Sequence, residues 1–145
     1  MYYNADMSEQ FYNDLLKRSE AGNAQDQRDL ACRLWWGGRG FPKDYEASRH
    51  WYAEAARQGH KNAQYNYAVM LLDGQGGDAN IKEGLKQLKL SVEGHDGEYC
   101  AAMELQQIYE EGLFGQAADL KEAQFWENVA EKYRTRDAGF VNSSF

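Results

Sequence analysis

Apolar residues recur every three or four positions along most of the chain, which is the spacing of one buried face of an α-helix. The pattern predicts a first helix over residues 8–20. Six further helices are predicted over residues 24–36, 45–57, 61–73, 81–93, 98–111 and 120–133. Asp44, Asn80 and Asp119 precede the third, fifth and seventh helices and have side chains that cap helix N-termini. The last residues, from 135 on, show no helical period.

The last six helices fall into three pairs, because the segments between them repeat. A glycine pair follows the first helix of each pair, at positions 37 and 40, 74 and 77, and 112 and 115. A repeating unit of this size is typical of stacked helix pairs. We therefore predict one domain over residues 1–134, with a capping helix at 8–20 and a C-terminal tail at 135–145. The repeats are placed at about 22–58, 59–96 and 97–134.

The repeats resemble those of the Sel1-like repeat family, which is related to the tetratricopeptide repeats. The resemblance is carried best by DYEASRHWYAEAARQG (44–59) and AQYNYAVMLLDG (63–74). Two positions depart from the family pattern: Gln87 stands where a tryptophan is expected, and Gln106 stands at a small-residue position. The resemblance implies an all-α fold, a short right-handed α-solenoid of three Sel1-like helix pairs with an N-terminal capping helix.

The glycine-rich stretch LWWGGRG (34–40) admits two interpretations, a phosphate-binding loop and a turn between helices. A phosphate-binding loop follows a strand and is followed by Lys-Ser or Lys-Thr, and neither feature is found here. The matching glycines in the other two repeats indicate a helix–helix turn in which glycine permits a positive φ.

The net charge of −7 makes nucleic acid and anionic membranes poor partners. The longest apolar run, residues 67–72, is too short to cross a bilayer. The N-terminal residues do not form a secretory signal, and Cys32 and Cys100 lie two repeats apart, too far to pair. Some secreted members of the family carry a cysteine pair in each repeat. Its absence here leads us to expect a cytoplasmic protein.

No catalytic, metal or cofactor site is predicted. The three histidines and two cysteines form no His-x-x-x-His or Cys-x-x-Cys pair, and the alignment of the repeats suggests no pairing of a nucleophile with a base. We therefore expect a protein that is not an enzyme and needs no cofactor.

A protein-binding groove is predicted on the first helix of each pair. In tetratricopeptide relatives, the stripe beside the core-facing stripe lines a concave groove. Carried over by alignment, this stripe comprises Arg28, Cys32, Trp35, Trp36, Tyr65, Val69, Leu72, Asp73, Met103, Gln107, Glu110 and Glu111. A merely solvated face would be polar, whereas grouped apolar residues mark an interface. The alternative is that a short, tightly curled stack buries these residues against its own helices.

The resemblance implies non-catalytic protein–protein interaction. The partner is expected to be another protein with basic and apolar features, held by an aromatic anchor at Trp35 and Trp36 and by carboxylates at Asp73, Glu110 and Glu111. Small Sel1-like proteins of bacteria include immunity proteins that bind and neutralise a toxin or effector, and we expect this role first. The alternative is an adaptor or scaffold in signalling or complex assembly. Open ends of the stack would also permit a homodimer.

Overall fold

The computed structural model describes residues 5–93 and 98–141, with side chains described over 7–93 and 98–136. This part of the chain forms seven α-helices and no β-strand. The helices are α1 (Ala5–Glu20), α2 (Ala24–Trp36), α3 (Tyr45–Arg57), α4 (Lys61–Asp73), α5 (Ile81–Val92), α6 (Tyr99–Glu111) and α7 (Leu120–Val141). The all-α prediction is confirmed, and helices α2 to α6 agree with it to within one residue.

The last helix differs from the prediction. Helix α7 continues through Val141, whereas the sequence pattern ended it at residue 133 and predicted no element in the tail. Residues 134–141 contain no proline, and Arg134 pairs with Glu131 one turn earlier, so the backbone can remain helical without an apolar period. The apolar residues of the tail, Phe140, Val141 and Phe145, are predicted from the sequence to dock on the last helix, but their side chains lie outside the described residues.

All three second helices begin directly after their predicted capping residues. The Asp44 carboxylate accepts a hydrogen bond from the backbone N–H of Ala47 at 3.0 Å, and Asn80 accepts one from Glu83 at 3.0 Å. Asp119 accepts from the backbone amides that follow it in the same way. Each cap satisfies amides that would otherwise lack a partner at the helix start.

The glycine loops are helix–helix turns, as predicted. Gly74 and Gly112 end α4 and α6 in the left-handed conformation, at φ +70° and +71°. Gly76 in the second loop is also left-handed, and a Cβ added there would lie 2.3 Å from the backbone oxygen of Tyr45. The second loop therefore requires glycine for space as well as for φ.

The helices stack in chain order, and every extensive contact joins consecutive helices. In the first repeat the core-facing stripe of α2 is buried as predicted: Gln27, Leu30, Ala31 and Leu34. The buried Gln27 amide donates to the backbone oxygen of Ser19, and Gln64 donates likewise to Ala56 in the next repeat. These bonds tie the first helix of a pair to the helix before it.

The sequence predicts that Trp51 and Trp126, at matching positions of two second helices, are core residues. Both are instead half-buried and pack at the edges of the apolar clusters. None of the described helices combines the length and apolar character needed to cross a membrane.

Candidate protein-binding groove

Helices α2, α4 and α6 are the first helices of the three pairs, and their side chains line a row of three adjoining cavities, here called the trough. The central cavity of about 430 Å³ lies between all three helices. A second cavity of about 430 Å³ adjoins it at α2 and shares Arg28, Cys32 and Trp36 with it. A third, of about 450 Å³, adjoins it at α6 and shares Tyr65 and Cys100. The shared residues place the three cavities side by side.

Ten of the twelve predicted groove residues line the trough. The central cavity is bounded by Arg28, Cys32, Trp35, Trp36, Tyr65, Val69 and Asp73. The cavity at α6 adds Met103, Gln107 and Glu110. Residues of three different repeats therefore line adjoining cavities.

Leu72 is a correction to the predicted groove. Its side chain is 4 % exposed and packs in the core cluster that also contains Leu85 and Leu88 of α5. A leucine buried in this way cannot contact a partner in the trough. Leu72 occupies the repeat position of Trp35, but the facing helix α5 has room for it beside Gly84.

Glu111 lies at the end of α6 and lines none of the three cavities. Its carboxylate accepts a hydrogen bond of 3.1 Å from the side-chain amide of Gln107, one turn earlier. Glu111 is therefore placed beside the trough, where its charge acts at longer range than that of Glu110.

The two adjacent tryptophans have different environments. Trp35 is half-buried, and its ring centroid lies 4.5 Å from that of Tyr45 with the planes tilted by 31°. Trp36 is 75 % exposed, whereas Leu34 on the core side of the same helix is 2 % exposed. An indole exposed to this extent beside a cavity has apolar surface that is available for contact with another molecule.

A polar network holds α2 and α4 together inside the trough. The Arg28 guanidinium donates to Oδ1 of Asn62 at 2.7 Å and pairs with Asp29 at 3.1 Å. Asn66 donates to the backbone oxygen of Asn62 at 2.9 Å. The Arg28 side chain thus forms a charge-assisted hydrogen bond from one repeat to the next.

Glu104 on α6 is a half-buried carboxylate that accepts a hydrogen bond from the Tyr65 hydroxyl of α4. Burial raises the pKa of Glu104, and the nearby negative charge of Asp73 raises it further, while the bond from Tyr65 acts in the opposite direction. Burial, followed by the negative charge of Glu104, raises the pKa of Tyr65. In the described residues no Lys or Arg forms an ion pair with Glu104.

Several trough residues were absent from the predicted set. Asn66, Glu98 and Glu104 line the cavities, and Tyr52 reaches the central cavity from α3. Glu104 directly follows Met103, so a wider stripe on α6 would have included it. Tyr52 could not have been found in this way, because it belongs to a second helix, and the predicted groove stripe lies on the first helices alone.

The lining of the trough includes two thiols and a tyrosine hydroxyl. In the described part of the chain, no three His, Cys, Asp or Glu side chains come close enough together to hold a metal ion. Cys32 and Cys100 are both free thiols at the central cavity. The Tyr52 hydroxyl forms a hydrogen bond with the Cys32 thiol, and burial raises the pKa of this tyrosine.

A family comparison identifies the class of protein that this architecture defines. The model of the Sel1 repeat matches residues 24–60, 61–91 and 101–126. The chain therefore belongs to the Sel1 repeat family. Sel1 repeat proteins are generally protein–protein interaction modules.

Two solved structures are similar to the chain in fold. A Sel1 repeat protein from Oxalobacter formigenes is 23 % identical, with a TM-score of 0.71 over 80 % of this chain and 32 % of that one. A protective antigen present in uropathogenic Escherichia coli strains, which displays an SLR fold, is 23 % identical, with a TM-score of 0.58 over 84 % and 33 %. The chain spans about a third of the length of these proteins.

Proposed function

We propose that the trough binds a segment of another protein and that binding, not catalysis, is what the domain contributes. The observation that carries this proposal is the 75 % exposure of Trp36 at the point where two of the three cavities meet. Tryptophan is enriched among the residues that dominate binding energy at interfaces, and such residues cluster in pockets. Val69 and Tyr65 extend the same apolar surface along α4.

The acidic part of the trough specifies a cationic group on the partner. Asp73, Glu104 and Glu110 line the central and α6 cavities, and Glu104 is half-buried without an ion pair among the described residues. A carboxylate in that position gains more from a partner's Lys or Arg than a fully solvated one, because it is already partly desolvated. The segment would thus place an apolar side chain against Trp35 and Trp36 and a basic one beside Glu104.

We further propose that the chain acts as an inhibitor, in the manner of an immunity protein that binds and neutralises a toxin or effector. The net charge of −7 favours rapid association with a basic partner, and fast capture is an advantage for a neutraliser. An adaptor or scaffold would use the same trough to hold a partner without changing the partner's activity. The two roles differ in what binding does to the partner.

Binding can be tested with a pair of matched aromatic variants. Trp36→Ala removes the exposed ring in the trough, and Phe125→Ala removes a ring that is 53 % exposed on α7, outside the trough. Proteins captured from the native host by the wild-type chain should be lost with Trp36→Ala and retained with Phe125→Ala. Equal capture by all three proteins would mean that the trough is not the binding surface.

The role can be tested once a captured partner has been purified. An inhibitor should abolish the partner's toxicity when the two are co-expressed, and Trp36→Ala should restore that toxicity. A partner that retains its full activity in the complex would favour the adaptor role and would contradict neutralisation.

A further inference from the structure

The charges along the trough are divided between its two ends. Among the described residues, the cavity at α2 is lined by Arg28, Arg33 and Arg39, with Asp29 as the only carboxylate. The cavity at α6 is lined by Glu104 and Glu110, and no Lys or Arg among the described residues lines it. The trough is therefore electropositive at α2 and electronegative at α6, although the chain as a whole is acidic.

The three arginines at the α2 end differ in how far neighbouring residues engage their side chains. Arg28 is engaged by Asp29 and Asn62, and the Arg33 guanidinium lies over the Phe11 ring at 4.8 Å. Arg39 lies in the glycine loop and is exposed. It is therefore the arginine best placed to meet a charge on a bound molecule.

The left-handed backbone conformation of Arg39 is a feature of the repeat and is not specific to this loop. Arg39 has a φ of +54°, and the corresponding loop residues Gly76 and Phe114 have φ values of +72° and +54°. All three loops thus use a left-handed residue at this position. Only the first loop places a long cation there, at the mouth of the trough.

The apolar surface lies between the two charged ends. Trp35, Val69 and Met70 line the central cavity, together with the side-chain amides of Asn62 and Asn66. An apolar side chain can be buried against Trp35 and Val69, and amide side chains can pair with a peptide backbone. Such a surface suits a chain that crosses α2, α4 and α6 in turn.

We propose that the trough selects an extended, dipolar segment of a partner protein, with an acidic residue at the α2 end, an apolar one in the centre and a basic one at the α6 end. Packed helices lie about 8–10 Å apart, and α2, α4 and α6 make no extensive contact with one another, so the path from α2 to α6 covers at least about 16–20 Å. An extended chain advances about 3.3 Å per residue, which separates the acidic and basic residues by at least about five positions. This inference rests on the proposed binding role of the trough and specifies its ligand.

A uniformly basic segment is the alternative that the net charge alone would suggest. Its cation at the α2 end would face Arg28, Arg33 and Arg39, and like charges brought together at an interface disfavour the wrong partner. Repulsion at the α2 end therefore disfavours binding of a uniformly basic segment, even though the net negative charge of the chain would attract that segment at long range.

The test begins with random peptides of twelve residues displayed on phage and selected against the full chain. Selected peptides should carry an acidic and a basic residue at least about five positions apart, with an aromatic or branched apolar residue between them. A synthetic peptide of this type should lose about tenfold in affinity when its acidic residue is changed to lysine, a loss measured by fluorescence anisotropy at low salt.

Matched charge variants locate each end of the peptide. Arg39→Glu should abolish or reverse the preference for the acidic residue, and Glu110→Lys should do the same for the basic residue. Lys86→Glu on α5 and Glu127→Lys on α7 are exposed and lie outside the trough, so they should leave both preferences unchanged. Arg28→Gln provides a second variant at the α2 end that introduces no negative charge beside Asp29.

The outcomes separate this inference from the proposed function. Peptides that are uniformly basic, bind the wild-type chain and are lost with Trp36→Ala would overturn the dipolar ligand while leaving the trough as the binding surface. Selected peptides that bind wild type and Trp36→Ala equally would overturn both proposals. An unchanged preference in Arg39→Glu and Arg28→Gln together would also overturn the dipolar ligand.

Discussion

The first two repeats place different side chains at the same two positions, directly before the glycine that ends the first helix. In α2 these residues are Trp35 and Trp36, and in α4 they are Leu72 and Asp73. Trp35 is half-buried at the trough, whereas Leu72 is 4 % exposed in the core. The difference shows that a position in the repeat does not by itself determine how exposed its side chain is, because residues of the facing helix also surround that side chain.

The residue responsible lies on the second helix of each pair. A Cβ added to Gly84 would lie 2.9 Å from Cγ and Cδ2 of Leu72, so the missing side chain creates the space that the leucine fills. The corresponding residue of α3 is Ser48, whose hydroxyl donates to the backbone oxygen of Ala31 at 2.7 Å. In the first pair this position therefore carries a side chain, and Trp35 packs beside Tyr45 at the edge of its apolar cluster.

The largest effect on this comparison is expected from Leu72→Ala. Removing a buried leucine side chain loses its transfer free energy and leaves a cavity, which lowers the free energy of unfolding by about 2–5 kcal/mol. Urea denaturation measures the change. Asp73→Ala, at the next and exposed position, should change stability by less than about 0.5 kcal/mol. A loss below about 1 kcal/mol for Leu72→Ala would show that Leu72 is not a core residue.

A smaller effect is expected from Gly84→Ala. The added methyl group must displace Leu72, and overpacking of this kind costs about 1–3 kcal/mol. The higher helix propensity of alanine returns up to about 1 kcal/mol, so we expect a net loss of about 1–2 kcal/mol by urea denaturation. Lys86→Ala, at an exposed position of α5, controls for changes in helix propensity alone. A more stable Gly84→Ala variant would contradict the close packing of Leu72.

Trp36→Ala should leave stability almost unchanged. Its ring is 75 % exposed, and exposed substitutions change stability by no more than about 0.5 kcal/mol. Trp35→Ala should cost at least about 1 kcal/mol, because it removes half-buried surface and the contact with Tyr45. Thermal melts of the two variants provide the measurement. Equal losses would mean that both tryptophans serve packing and that Trp36 is not available to a partner.

The smallest effect is expected from Asp73→Asn. Asp73 stands at the repeat position of Trp36 but acts through its charge, which helps to raise the pKa of Glu104. Removing that charge should lower the pKa of Glu104, as measured by NMR titration of its side-chain carboxyl carbon. Glu127→Gln is a matched control outside the trough and should leave that pKa unchanged. An unchanged pKa in Asp73→Asn would exclude this coupling.

The raised pKa of Glu104 also determines the sign of a stability change with pH. The folded state binds the proton more tightly than the unfolded state, so this contribution is complete below the unfolded value of about 4.3 and is lost as pH rises through the folded value. Glu104→Gln, which mimics the protonated form, should therefore gain stability relative to wild type near pH 7. The two proteins should become equally stable below about pH 4.

The helices and their limits could be predicted because the signals for them are local. Asp44 and Asn80 cap the helices that follow them, and Gly74 ends the helix before it through interactions within a few residues. The same local signals did not predict where α7 ends. Residues from Arg134 to Val141 are helical without an apolar period, so periodicity could not detect them.

The candidate site could be predicted only in part. Helical spacing is enough to place Arg28, Cys32 and Trp36 on one face of α2, and the repeat then suggests equivalent faces on α4 and α6. It could not indicate that Tyr52 reaches the trough from α3, or that Glu104 is half-buried beneath Tyr65. Those facts depend on which helices meet and how closely they pack.

By itself, the sequence determined the repeat, the helix pairs and most of the first-helix residues that line the trough, because periodicity, caps and glycines act over a few residues. Only the tertiary structure decided that Leu72 is buried and that opposite charges lie at the two ends of one trough. Leu72 depends on the space beside Gly84, a residue of another helix. The charge division depends on Arg39 and Glu110, which belong to different repeats. Burial and electrostatic environment are properties of packed surfaces, and they arise when distant segments come together.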